Sequence, residues 1–192
     1  MGGQSLSNYL RFLWGDFREF RIQWTWRFWG IKRMKNPALL NLVQDKVFAN
    51  PNRWPMIGNK EEITYCNLAA LDVAHGVGCT DLDSPGKEPL LADQMYDLMK
   101  GSDKFLIKPM ADCQDLVNAG TLIFAILPGE KLNQGHGHIC TLTPGVMAFS
   151  GHWDAKAPMC MNLGRQGTCF RQKGVNWAFV PVPEFFAWKE SL

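Results

Sequence analysis

No CxxC pair occurs among the six cysteines (Cys66, Cys79, Cys113, Cys140, Cys160, Cys169), and their wide spacing forms no dense framework. A chain of 192 residues with that pattern does not demand disulfides, and a reducing compartment is the expectation. The N-terminal region lacks an uninterrupted apolar h-region, so no secretory signal is expected and synthesis is expected to be cytoplasmic. No apolar run approaches the length of a transmembrane helix. Internal repeats and low-complexity tracts are missing as well. A net charge of +2 argues neither for nor against an acidic partner. What remains, at 46% hydrophobic residues, is enough to bury one proper core with an appendage.

The appendage is residues 1–35. They hold four of the eight tryptophans (Trp14, Trp24, Trp26, Trp29) and seven Lys/Arg against Asp16 and Glu19, a net +5 that leaves the remainder at −3. Aromatics interrupted by arginines suit an interfacial helix with snorkelling cations and contact with a membrane or wall surface. Stacking on nucleic acid is an alternative, although no nucleic-acid partner is expected. A helix packing its aromatics on the core or on a partner subunit is another. The start fails the myristoylation pattern, because Leu6 stands where Ser or Thr is needed.

Residues 36–192 read as the main domain. Asn36-Pro37 opens a helix with Leu39, Leu40, Leu42, Val43 and Val47 as its apolar stripe, and Asn50-Pro51-Asn52 ends it. A loop through Trp54-Pro55 and Gly58-Asn59 follows, of the aromatic, Asn-bearing kind that lines substrate clefts. The stretch Glu61 to His75 reads as a helix, with Thr64 as N-cap and Gly76 and Gly78 as the stop. Cys66 then sits at or near N2, where free N–H groups and the dipole favour an anion and lower a thiol pKa. The alternative is that Cys66 is a small buried apolar residue.

After a loop over residues 79–89 and a short helix from Leu90 to Lys100, the character changes. Gln114 to Asn118 makes a short helix. Thr121 to Leu127, Gly135 to Thr143, Val146 to Phe149, Met159 to Leu163 and Val175 to Val182 are strand candidates, and Pro183 to Leu192 a closing helical turn. Helices first and strands after is an α+β pattern.

On the strand from Gly135, period-two alternation places His136, His138 and Cys140 on one face. A strand histidine facing the N-terminus of a cysteine-bearing helix is what Cys–His catalysis needs. His-x-His-x-Cys would also supply three zinc ligands, although no carboxylate or CxxC completes a standard spacing, and no metal or cofactor is expected. A structural role for both histidines is the third alternative. His75 and His152 are weaker candidates.

The ordered set Thr64-Tyr-Cys-Asn-Leu-Ala-Ala-Leu-Asp-Val-Ala, then Gly-His-Ile at 137–139, then Pro158 to Gly164 with Asn162, resembles the papain-like cell-wall hydrolases. These are the CHAP superfamily of cysteine/histidine-dependent amidohydrolases and peptidases and their Nlp-type relatives, common in phage endolysins. The resemblance covers roughly residues 36–188. It implies a papain-like α+β fold, N-terminal helices packed on a small antiparallel sheet, in which Cys66 attacks an amide carbonyl of a peptidoglycan peptide, His138 is the base and Asn162 orients the imidazole. Tyr65, Asn67, Trp54 and His136 would line the substrate, and the Cys66 N–H would contribute to the oxyanion hole. No wall-binding module follows, so wall targeting is expected from the domain itself or from residues 1–35, after release or delivery. A non-catalytic structural or membrane-associating phage or envelope protein on the same scaffold is the alternative function.

Overall fold

The computed structural model describes residues 35–53, 65–86, 88–164 and 169–192. The chain divides into two units, 1–32 and 33–192, the first of which lies outside the described residues. The expectations for the basic aromatic arm and for Trp54 therefore fall outside them too, except at Lys35.

Helix α1, Pro37–Ala49, begins as its sequence dictates: Pro37 occupies the first turn and the Asn36 side chain accepts from Leu39 N at 3.0 Å. Its stripe differs from the expected one. Leu40, Gln44 and Val47 are buried, while Leu42 is 51% exposed. Gln44 is tolerated inside because its amide donates to Thr141 Oγ1 and to Leu142 O. Helix α2, Cys66–Gly76, buries Cys66, Ala69, Ala70, Val73 and Ala74, small side chains that let it lie close on the sheet. Helix α3 is Ala92–Gly101, strand β1 Phe105–Ile107 and helix α4 Met110–Asn118. There follow β2 (Ile123–Leu127), the short α5 (Gly129–Leu132), β3 (His138–Leu142), β4 (Ala148–Ser150), β5 (Ala155–Ala157), β6 (Met159–Asn162), β7 (Phe170–Gly174) and β8 (Glu184–Trp188).

The fold is α+β. Six strands form one antiparallel sheet in the order β1-β8-β2-β3-β6-β7, and β4 and β5 pair as a separate hairpin. β2 is the apolar run Ile-Phe-Ala-Ile-Leu, buried along its whole length between β8 and β3, which is why it carries no polar alternation. Gly120, ahead of β2, has φ +94, and a Cβ there would stand 2.3 Å from Asn36 N.

Three expectations are corrected. Val175 to Val182 is not a strand: Val175–Trp177 is a 3₁₀ turn, Trp177, Val180 and Val182 are exposed, and Pro181 and Pro183 offer no N–H to a ladder. Glu184 to Trp188 is a strand and not a helical turn, because Phe186 finds Ile107 on one side and Phe124 on the other. β3 starts at His138, so His136 lies in an exposed bend ahead of the strand. No helix among the described residues is long and apolar enough to cross a membrane.

Candidate active site

Cys66 opens α2 at N1, one position earlier than N2. Thr64 lies outside the described residues. Tyr65 takes the N-cap position without a side-chain cap bond, and its carbonyl accepts from Ala69 N at 2.9 Å. The first-turn N–H groups and the dipole of an 11-residue helix are thus directed at the Cys66 end. The helix is held in place by Asp72, which takes a two-point ion pair from Arg53 Nε at 2.5 Å and Nη2 at 3.2 Å.

The topology fixes which end of the sheet the cysteine faces. Val77, just past the end of α2, lines a small cavity with Leu122, just ahead of β2. β2 runs antiparallel to β3, with Leu127 opposite His138. The far end of α2 therefore lies toward the end of β3 that pairs with the start of β2. An 11-residue helix is about 16 Å long, and a five-residue strand about as long. α2 packs on β3, the strand that His138 opens.

His138 is half-buried, and its Nε2 stands 2.7 Å from Asn162 Oδ1, a side chain only 1% exposed at the end of β6. The sheet register brings these two together: Thr141 pairs with Met161 and Leu142 with Cys160, which sets Asn162 diagonal to His138 on the neighbouring strand. With the amide oxygen as acceptor, Nε2 carries the proton and Nδ1 keeps its lone pair. The Phe179 ring, 5.1 Å from the imidazole between centroids, walls one side.

Cys66 is 4% exposed. The Cys140 thiol, two residues along from His138, is pushed well above its ordinary range, first by burial, then by a hydrogen bond with Cys160 and by the charges of Cys160 and Cys66.

Not all of the expected site assembles. The Asn67 amide donates to Leu90 O at 2.8 Å, so it ties α2 to the lead-in of α3. Tyr65 is half-buried at the helix cap. His136 is off the strand and exposed, so the His136–His138–Cys140 face does not form, and no group of three potential metal ligands is found among the described residues. His75 is paired with Asp83 at 2.5 Å on the surface, and His152 sits in an exposed turn.

Two polar features escaped the sequence reading. Asp93 accepts from Gly129 N at 2.7 Å and from Gly137 N at 2.9 Å; an acid in the first turn of a helix reads only as a dipole partner. Glu184 accepts from Tyr96 Oη at 2.6 Å and pairs with Lys131, while Lys100 Nζ donates to Tyr96 Oη at 3.0 Å. Burial works to raise the Glu184 pKa, but the hydrogen bonds from Lys131 and Tyr96 outweigh it and hold the carboxyl below its ordinary range. No sequence signal joins these residues, since 88 positions separate Tyr96 from Glu184.

Neither a protein-family model nor a curated protein sequence matches this chain.

Proposed function

We propose that the protein is a cysteine amidase or endopeptidase of papain-like arrangement that opens amide bonds in bacterial peptidoglycan through an acyl-enzyme. The observation that carries the chemistry is the His138 Nε2–Asn162 Oδ1 hydrogen bond of 2.7 Å, made from the strand on which the Cys66-bearing helix packs. In this reading His138 Nδ1 takes the Cys66 proton, and the thiolate attacks the carbonyl carbon. N–H groups at the start of α2 stabilise the oxyanion. The imidazolium returns the proton to the leaving amine, and a water activated by the same base hydrolyses the thioester. Asn162 holds the tautomer throughout. The wall-peptide substrate comes from the family resemblance alone, as do action at the wall and attachment through residues 1–35.

A second reading rests on the 4% exposure of Cys66 within the buried core. There Cys66 is a packing residue, and the protein is a non-catalytic component of a phage or envelope assembly. Incubation with walls of several chemotypes separates the two. The first reading expects new amino groups and amide-cleaved fragments by mass spectrometry. Reducing sugars in place of amines would mean a glycosidase, and no release from any wall favours the second reading.

A further inference from the structure

We propose that Asp93 is the positioning residue that sets His138 against Cys66; the inference rests on the reading of those two as base and nucleophile. β2 and β3 are joined by an excursion, residues 128–137, that begins at Pro128 and returns at Gly137, immediately before His138. Asp93 closes it at both ends, with Oδ1 accepting from Gly129 N at 2.7 Å and Oδ2 from Gly137 N at 2.9 Å. A carboxylate offers only acceptors, and its bonds to backbone N–H groups are stronger than neutral ones. The approach is close enough to require glycine: a Cβ on Gly137 would stand 2.7 Å from Asp93 Oδ1 and 2.8 Å from Leu127 O.

Asp93 belongs to the first turn of α3. Leu90, two residues ahead of that helix, accepts from Asn67, the neighbour of Cys66. A continuous path of covalent and hydrogen bonds therefore runs from Cys66 through Asn67, Leu90, Asp93 and Gly137 to His138. The far nitrogen of the imidazole is fixed by Asn162, and the backbone that carries the ring is fixed by Asp93. Asn162 sets which nitrogen bears the proton; Asp93 sets where the other nitrogen points.

The test compares Asp93→Asn with Asp81→Asn in the full chain. The first keeps side-chain shape but turns an NH₂ toward one of the two backbone donors. The second removes the charge from another carboxylate bond, Trp188 Nε1 to Asp81 at 2.6 Å, away from the histidine. The imidazole nitrogen signals of His138 by NMR and the kcat for amide release are read in both. Asp93→Asn should move the His138 signals and lower kcat about a hundredfold with KM nearly unchanged, the effect of misplacing a reacting group by about 1 Å. Asp81→Asn should lower the melting temperature and leave the His138 signals and kcat as they were. His138 signals unmoved by Asp93→Asn, or moved equally by both variants, would overturn the proposal. An inert native protein would instead sink the functional reading, while the imidazole signals still decide the role of Asp93.

Discussion

Removing the Asn162 amide probes the site with the least disturbance to its surroundings. The acceptor lies 2.7 Å from His138 Nε2 and its side chain is 1% exposed, so water does not readily replace it. Asn162→Ala forfeits a hydrogen bond of about 1 kcal/mol net, and up to about 3 kcal/mol if the N–H is left unsatisfied. For a chain of this size that range lowers the melting temperature by roughly 2 to 12 °C. The catalytic loss is larger than the stability loss implies. Without the acceptor the imidazole samples the other tautomer, with its proton on the nitrogen that must receive the Cys66 proton. We expect kcat for amine release to fall about a hundredfold, the low end of what a positioned general base contributes, because the base is present but misoriented. Asn162→Asp should restore much of the rate, and its carboxylate should raise the pKa of the acidic limb of the pH profile by favouring the imidazolium. Full activity in a folded Asn162→Ala protein would refute this account of His138.

The two histidines should separate cleanly: His138→Ala is expected to lose on the order of a thousandfold or more in kcat, whereas His136→Ala, at an exposed bend, should leave measurable turnover. Gly120→Ala should destabilise the fold by about 2 kcal/mol or more in a urea titration, because φ is +94 and the new methyl would meet Asn36 N at 2.3 Å. The Glu184 carboxyl is held below its ordinary value of 4.5 in the folded chain, so the unfolded chain binds its proton first on acidification. Its stabilisation is therefore complete above the unfolded value and is lost as the pH falls through the folded one; Glu184→Gln should flatten that acid-side dependence in thermal melts, and an unchanged slope would contradict the assignment.

The parts of this fold that local physics decides were legible. The Asn36-Pro37 start of α1, the buried run of β2 and the α+β order each follow from a cap, an apolar run or a change of period. The strands β1 and β7 and the hairpin strand β5 were missed. β7 is a polar edge strand, with exposed Gln172 and Lys173 and a partner only in β6, and edge strands carry charge where central ones carry pattern. In sequence β8 reads as a helical turn, because its aromatics look alike in either state until β1 and β2 flank it. Period two carried His136 onto the strand with His138, but the clamp of Gly137 by Asp93 ends the excursion one residue later. His138 and Asn162 could be named from an ordered motif, yet their hydrogen bond depends on the β3–β6 register, which no window of sequence contains. Asp93, which bonds the Gly137 N–H beside the histidine, and Phe179, which packs on its ring, come from other elements and leave no local trace in sequence.

Competitive alkylation with peptide mapping decides whether Cys66 is an activated nucleophile or a packing residue. Exposure alone ranks Cys169 first, since it is half-buried and Cys66 is 4% exposed. Activation reverses the order: burial holds the Cys169 thiol above its ordinary range, while Cys66 stands at the N-terminus of a helix that packs on the His138 strand. With limiting iodoacetamide near neutral pH, Cys66 should be labelled before the other five cysteines, and amine release from walls should fall in step with that label. Cys169 labelled first, with Cys66 still unmodified and no amine release to lose, would contradict the account.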